Sequence, residues 1–189
     1  SEPIGRPPLP KTFPAGRLCF HKPPVYEKRS AHEETGKDGT MRDNFEQYAR
    51  LGEQFLPVTY EEMTARGWDY YDFLYICGDA YVDHPSFGAA IISRVLEGEG
   101  YRVCMLCQPE LRGGDIVIPF PEPRLGVLIS SGNIDSMVAH YTAAKRKRSE
   151  DWYSPGKRAG LRPDCAVIVY AQSARRQFPD TPIVLGGLE

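Results

Sequence analysis

The residues best suited to chemistry stand in one stretch, YICGDAYVDHPSFG, which covers residues 75–88. An apolar run of strand type ends there at Gly78, and two carboxylates and an imidazole follow at Asp79, Asp83 and His84. Carboxylates and histidine exchange protons or contact polar ligands near neutral pH. The same residues also suit a plain turn, because glycine tolerates positive φ and aspartate bonds to its own backbone. A ligand-contacting loop and a structural turn therefore both stay open.

Two further polar loops follow apolar runs. SSGN contributes Ser131 and Asn133, and a later run ends at Gly186 and Gly187. A serine hydrolase that combines Ser131 with the histidine and one aspartate of the first loop is disfavoured. No G-x-S-x-G motif is present, and serines at such positions ordinarily cap helices. The sequence also contains no GxGxxG fingerprint and no Walker A motif.

The densest charged patch is KRKR, residues 145–148. Residues 140–162 carry seven Lys or Arg against two acidic residues. A solvated helix end explains this run, and an anionic partner such as RNA, a nucleotide or an acidic protein face is the alternative. Trp152 and Tyr153, nearby, suit either base stacking or anchoring of the loop. The candidates for anion or partner binding are Lys145, Arg146, Lys147 and Arg148.

Composition restricts the remaining possibilities. The chain has 189 residues, is 41% hydrophobic and 25% charged, and has a net charge of −2, which is typical of a globular protein without general attraction to nucleic acid or membranes. No apolar run reaches the roughly 18 residues that span a bilayer. Five cysteines, mostly inside apolar runs, favour a reducing cytoplasm over a disulfide framework. Cys104 and Cys107 have CxxC spacing, but residues three apart on a strand face opposite sides, which favours core thiols over a zinc or redox pair.

Strands and helices alternate from Phe55 onward. Thr59 and Glu62 predict a capping box for a short helix over 60–66. Apolar residues recur on one face at Phe87, Ile91 and Val95, and later at Ile134, Val138 and Tyr141. The segment 108–123 is interpreted as a broken helix followed by an irregular crossing. Strands are predicted over 71–78, 101–107, 124–132, 164–170 and 181–187, and longer helices over 85–100, 133–148 and 171–178.

Near-continuous apolar strands separated by helices indicate a parallel sheet that is covered on both faces. The predicted fold class is therefore α/β: a doubly wound, mainly parallel five-stranded sheet of flavodoxin-like order 2-1-3-4-5. Such sheets bind ligands beyond the carboxyl ends of the strands where the strand order reverses, here between strands one and three. The residues predicted to bind a ligand at this edge are Gly78, Asp79, Asp83, His84, Ser131, Asn133, Gly186 and Gly187.

The first 54 residues differ in kind from the rest. Residues 1–30 hold seven prolines, and residues 31–44 are polar. They predict a Pro-rich, partly mobile extension over 1–54, with a short helix at 45–55, ahead of one domain over 55–189. A doubly wound sheet normally closes with a helix after its last strand. Because this sequence stops just after Gly187, we expect a longer parent protein.

From Phe55 onward the chain resembles the N-terminal region of the YgiQ-like radical SAM proteins, a bacterial family. GDAYVDHPSFG and SGNIDSMV are the most specific matching segments, and RPDCAVIVYAQSARRQF extends the match. The resemblance implies a cobalamin-binding-like fold for this domain and a radical SAM barrel after it. In that barrel a CxxxCxxC motif would bind a [4Fe–4S] cluster, which cleaves S-adenosylmethionine to a deoxyadenosyl radical.

Two motifs of the wider group are missing from this sequence. It contains no CxxxCxxC, and Asp83, His84 and Gly88 do not have the DxHxxG spacing of a cobalamin loop. We therefore predict an accessory, substrate-orienting domain that is not catalytic alone, holds no cofactor and meets its own barrel and an unidentified substrate in the cytoplasm. The alternative is a binding module for cobalamin, a nucleotide or RNA.

Overall fold

A computed structural model describes residues 55–187 of the chain. The predicted extension over 1–54 and, except for Phe55, the short helix predicted at 45–55 lie outside the described residues. The first helix, α1 (Tyr60–Ala65), begins as its capping box predicts. The hydroxyl of Thr59 accepts a 3.2 Å hydrogen bond from the backbone N–H of Glu62, and the Glu62 carboxylate accepts one from the N–H of Val58.

One parallel four-stranded sheet forms the centre of the domain, and the α/β, doubly wound fold class is confirmed. The sheet consists of β1 (Phe73–Cys77), β2 (Val103–Cys107), β5 (Gly126–Ser130) and β6 (Ile183–Leu185). These strands follow the order β2-β1-β5-β6, so the predicted reversal of strand order beside β1 is also confirmed. The predicted count of five strands exceeds by one the four that the sheet has within residues 55–187.

The strand predicted over 164–170 is wrong, because this segment opens a helix, α4 (Ala166–Gln177). The helix predicted over 171–178 is its second half. Ala166, Tyr170 and Ala174 recur every four residues and are buried against the sheet. The unbroken apolar letters AVIVY conceal this spacing, and a run of that length fits a buried strand equally well.

The helix predicted over 133–148 ends much earlier, since α3 covers only Ser136–His140. Asp135 caps its start by accepting a 2.9 Å hydrogen bond from the N–H of Val138. The basic segment then turns back, and Tyr141 and Lys147 form an antiparallel bridge. Lys145 adopts a left-handed φ of 58° in that turn, which no helix accommodates.

A hairpin replaces the broken helix predicted over 108–123. Its two short antiparallel strands are β3 (Leu111–Arg112) and β4 (Asp115–Ile116), joined by two glycines. The segment that follows crosses the sheet on the α4 side, where Ile118 and Phe120 are buried. No helix within residues 55–187 is long and apolar enough to cross a bilayer.

Alternate residues of the strands fill two separate cores. Leu74 and Ile76 of β1 pack on the face that carries α4, the hairpin and α1. Phe73 and Tyr75 pack on the opposite face, beneath α2 (Gly88–Gly98). Cys104 lies in the first core and Cys107 borders the second, as expected for residues three apart on one strand.

The apolar face of α2 points the wrong way for a core helix. Ala90 and Ser93 are the residues it buries against the sheet, whereas Ile91 is 46% exposed and Val95 60% exposed. The four-residue spacing predicted the helix correctly, but that stripe does not pack on this sheet. In α3, likewise, Ala139 is buried and Val138 of the predicted apolar face is exposed.

The loops that leave β1 and β5 cross at very short range. A Cβ atom added to Gly78 would stand 2.0 Å from the backbone oxygen of Ser131. Gly132 has φ +115°, and a Cβ atom there would stand 2.1 Å from Oδ1 of Asp79. Neither loop therefore accommodates a side chain at these positions, and the two loops are locked face to face.

Replacing Gly78 with alanine tests this contact. Because the added methyl group would meet backbone rather than a flexible side chain, we expect Gly78→Ala to lower the free energy of unfolding by about 2–3 kcal/mol. Gly88→Ala is the matched control, since a Cβ atom at Gly88 meets nothing within 4 Å. Chemical denaturation of both variants measures the difference. Equal stability of the two variants would contradict the close approach of the loops.

Candidate functional site

The candidate site lies at the carboxyl edge of the sheet, where the loops after β1, β5 and β6 meet. Parallel β1 and β5 are neighbours, but the connection from β1 leads to the other side, to β2. This reversal leaves a crevice between the two loops, the usual place for a ligand in such sheets. A third loop, residues 149–163, packs over the same edge, since Ala80 donates a 2.8 Å backbone hydrogen bond to Tyr153.

A buried ionic cluster joins these loops. The guanidinium of Arg162 is fully buried and contacts two carboxylates, with Nη2 3.0 Å from Oδ1 of Asp79 and 2.9 Å from Oδ2 of Asp151. The contact with Asp151 includes hydrogen bonds from Nε and Nη2, whereas the contact with Asp79 is an ion pair without hydrogen-bond geometry. Nη1 of Arg162 donates to the backbone oxygen of Ser131 at 3.1 Å.

The electrostatics of the cluster favour a positioning role for Asp79. Asp79 is only 1% exposed, and burial raises the pKa of its carboxyl group. The backbone N–H of Asn133, 2.6 Å from Oδ2, and the charge of Arg162 oppose that rise. Two carboxylates face one guanidinium, so when both are ionised the cluster carries a net charge of −1, and each carboxylate depends on Arg162 for its buried charge.

The other polar residues of the first loop have separate partners. Asp83 accepts hydrogen bonds of 3.0 and 3.2 Å from Nε of Arg94, which ties the loop to α2. His84 is exposed, and its Nδ1 accepts a 3.1 Å hydrogen bond from the N–H of Ser86. Ser131 is fully buried, and its Oγ has no hydrogen-bond partner among the described residues. Asp83 and His84 therefore do not converge with Asp79, and no Ser–His–Asp triad is assembled.

A cavity of about 210 Å³ opens beside the crevice. Four of the eight residues predicted to bind a ligand line it, namely Asp79, Asn133, Gly186 and Gly187, whereas Gly78, Asp83, His84 and Ser131 do not. Most of the wall is apolar or aromatic, and sequence patterns could not indicate it because its members come from four strands and one helix. Representative residues of this wall are Tyr75, Tyr81, Ile92, Met105, Leu128 and Val184.

Two thiols and a hydroxyl stand in a row at the mouth of the cavity. Cys77 on β1 is in register with Cys107 on β2 and with Ser130 on β5. Burial raises the pKa of Cys77 to about 11 and that of Cys107 well above its ordinary value, so both thiols stay protonated near neutral pH. They behave as small apolar groups rather than as nucleophiles.

The basic segment Lys145–Arg148 lies outside this cavity. All four residues are exposed, and Nε of Arg148 donates to the backbone oxygens of Val138 and Tyr141 at 3.0 and 3.1 Å. Nearby, Asp164 accepts hydrogen bonds from His140 and Tyr141, and these partners hold the pKa of its carboxyl group below its usual range. The segment is thus a folded-back turn with solvated charges, and binding of an anion or partner there stays a prediction.

The aromatic pair of the neighbouring loop divides into two roles. Tyr153 packs edge-on against Phe87 with ring centroids 6.3 Å apart, so it anchors the loop to the first stretch. Trp152 is 71% exposed, and Nζ of Lys157 lies 3.6 Å from its ring centroid. Arg162 and Asp151, the central ion pair of the site, were counted in the sequence only as part of a charged patch, because no local spacing links them to Asp79.

Comparison with known proteins identifies related chains. Residues 55–189 match the family model described as radical SAM N-terminal. A UPF0313 protein of Clostridium botulinum (strain 657 / Type Ba4) is 52% identical over 135 residues, which are 71% of this chain and 21% of that protein. A UPF0313 protein of Pseudomonas aeruginosa is 48% identical over 135 residues, which are 71% of this chain and 18% of that protein. The chain thus spans about a fifth of the length of these relatives, and no solved structure matches it.

The ionic cluster predicts a strong effect of Arg162→Met. This variant leaves Asp79 and Asp151 buried without their shared cation, so we expect the free energy of unfolding to fall by about 3–5 kcal/mol. Burial already raises the pKa of Asp79, and without the opposing charge of Arg162 that pKa rises further above the unfolded value, so the loss should grow as the pH rises from roughly 4 to 8.

The matched control for this experiment is Arg158→Met, which changes an exposed cation of the same loop. We expect its free energy of unfolding to stay within about 0.5 kcal/mol of the wild-type value at every pH. Denaturant titrations at several pH values measure both variants. A pH-independent loss in Arg162→Met would contradict the electrostatic account of the cluster.

Proposed function

The chain belongs to the radical SAM N-terminal family, and from that premise we propose that it is the accessory domain of a radical SAM iron–sulfur enzyme. It would orient the substrate against a catalytic barrel located elsewhere in the full-length protein, and it would not catalyse the reaction alone. The relatives are about five times as long as the matched region, which leaves ample chain for such a barrel.

The single observation that carries this proposal is the cavity at the carboxyl edge of the sheet. It lies at the loops where the fold concentrates ligand contacts, and its wall is mostly apolar with a few polar residues such as Asp79 and Asn133. Among the predicted ligand-binding residues, we propose Asn133, Gly186 and Gly187 as direct contacts, since they line the cavity and, unlike Asp79, are half-buried or exposed. The buried Asp79 and Ser131 would instead hold the loops in place.

The described residues do not fit a [4Fe–4S] cluster. Such a cluster needs several convergent thiolates, but Cys104 faces one core while Cys77 and Cys107 border the other, and both of the latter are held protonated. Residues 55–187 contain no group of three His, Cys, Asp or Glu that could hold a metal ion. In the proposed full-length enzyme the cluster and S-adenosylmethionine, which supply a deoxyadenosyl radical, would be bound by other residues.

The alternative, a binding module for cobalamin, a nucleotide or RNA, has less support. His84, which could ligate cobalt, does not line the cavity, and the cobalamin spacing is absent. Lys145 and Arg146 are exposed cations that form no ion pair within residues 55–187, but one face of the neighbouring Trp152 ring is already covered by Nζ of Lys157. Cytoplasmic location is part of the proposal, supported by the free thiols of the described residues.

Reconstitution tests the proposed function. We expect the 189-residue chain, incubated anaerobically with iron, sulfide, a strong reductant and S-adenosylmethionine, to produce no 5′-deoxyadenosine by liquid chromatography. The full-length protein treated in the same way should produce it, because only that chain would supply the cluster ligands. Turnover by the 189-residue chain alone, or its absence in a full-length protein shown to hold the cluster, would contradict the proposal.

A further inference from the structure

The outward face of α2 is an exposed apolar surface next to the cavity. Ile91 and Ile92 are each 46% exposed and Val95 is 60% exposed, although all three belong to one short helix. With Val184 of β6, which is 58% exposed and shares the cavity with Ile92, they form what we call the α2 patch. Contiguous exposed apolar residues of this kind mark a surface that another protein segment covers.

The helix itself shows that this face is not an accident of packing. Its fully buried residues are small or polar, since Ala90 and Ser93 face the sheet and the Ser93 hydroxyl lies 3.1 Å from the sulfur of Met105. Leu96 is partly buried against the same core, whereas Ile91, Ile92 and Val95 point outward. A helix with apolar residues on both faces is stable in water only when both faces are covered. The sheet covers one face of α2, and nothing within residues 55–187 covers the other.

The sheet leaves a matching gap beside the patch. α2 packs against β1 and β2, whereas α4 packs against β5 and β6 from the opposite face. Val184 therefore stays exposed on the α2 side of β6, and the cavity is open there. An occupant lying on the α2 patch would pass over this gap and close the cavity.

We propose that the α2 patch is the docking surface for the polypeptide that follows this domain in the full-length protein, and that this polypeptide supplies the missing wall of the cavity. The inference rests on the proposed function, because it requires a longer chain. Two observations select this occupant. Gly187, the last described residue, lines the cavity, and about four fifths of the relatives' length lies outside the matched region, whose family model is described as N-terminal.

Residues 1–54 and a second copy of the chain are the competing occupants. The family match begins at residue 55. The relatives therefore share this domain, and the first 54 residues of this chain are not part of the match. A second copy would cover the patch only in a dimer. The rest of the full-length chain could then not dock on the patch. Both competitors are distinguished by the experiment.

Photocrosslinking from the patch is the test. The full-length protein carries p-benzoylphenylalanine at position 95, and mass spectrometry identifies the crosslinked peptides. The control carries the same group at position 168, where Ile168 is 55% exposed on α4, the opposite side of the sheet. We expect position 95 to form crosslinks with peptides beyond residue 189 of the same molecule. We expect position 168 to form far fewer of these crosslinks.

Three results would overturn the inference: crosslinks from position 95 into residues 1–54, crosslinks between isotopically light and heavy molecules in a mixed sample, or no crosslink at all. A second measurement protects against misfolding of the labelled protein. Val95→Glu should lower the midpoint of thermal unfolding of the full-length protein and leave that of the 189-residue chain unchanged, whereas Ile168→Glu should not distinguish the two.

These results separate the docking surface from the proposed function. If 5′-deoxyadenosine forms only in the full-length protein but position 95 gives no downstream crosslink, the accessory role stands and the docking surface is wrong. If the 189-residue chain itself turns over S-adenosylmethionine, the proposed function fails whatever the crosslinks show.

Discussion

The candidate site depends on one buried interaction, the contact of the Arg162 guanidinium with Asp79 and Asp151. The three charges come from the loop after β1 and from the two ends of the loop that covers it, and Arg162 also binds the backbone of the loop after β5. Such a cluster contributes little net stability, because desolvation offsets attraction, but it penalises every arrangement in which one partner is missing. The cluster therefore specifies how the three loops pack together, and the shape of the adjacent cavity depends on that packing.

The stretch YICGDAYVDHPSFG acquires a definite meaning from this cluster. Asp79 is buried and pairs with Arg162, Asp83 binds Arg94 of α2, and His84 is an exposed turn residue. The stretch lines one side of the cavity with Asp79, Tyr81 and Phe87, whereas Asp83 and His84 do not line it. In the proposed enzyme a domain of this construction would position the substrate, and the chemistry would be left to a group that the domain does not hold.

The spacing of residues in the sequence correctly predicted the features of the fold that local contacts determine. The capping box at Thr59, the strands at β1, β2, β5 and β6, and the reversal beside β1 follow from apolar runs and cap residues, and all are present. The same reasoning failed at AVIVY, where an unbroken apolar run fits a strand and a helix equally well. It also failed at Lys145, whose left-handed backbone breaks the predicted helix although the sequence contains no helix-breaking residue there. It identified Ile91 and Val95 as one apolar face of a helix but not as an exposed one, because periodicity does not show which partner covers a face. The pairing of Asp79 with Arg162, 83 positions apart, leaves no trace in spacing at all.

The central claim is that the carboxyl edge of the sheet faces the catalytic centre of the longer protein. Pulsed EPR can measure it as the distance from the reduced iron–sulfur cluster to a nitroxide label at either edge of the sheet. Val82 is an exposed residue of the loop after β1, and Asp69 is an exposed residue ahead of the amino end of the same strand. The account predicts that the label at position 82 lies closer to the cluster than the label at position 69. The reverse order would contradict it.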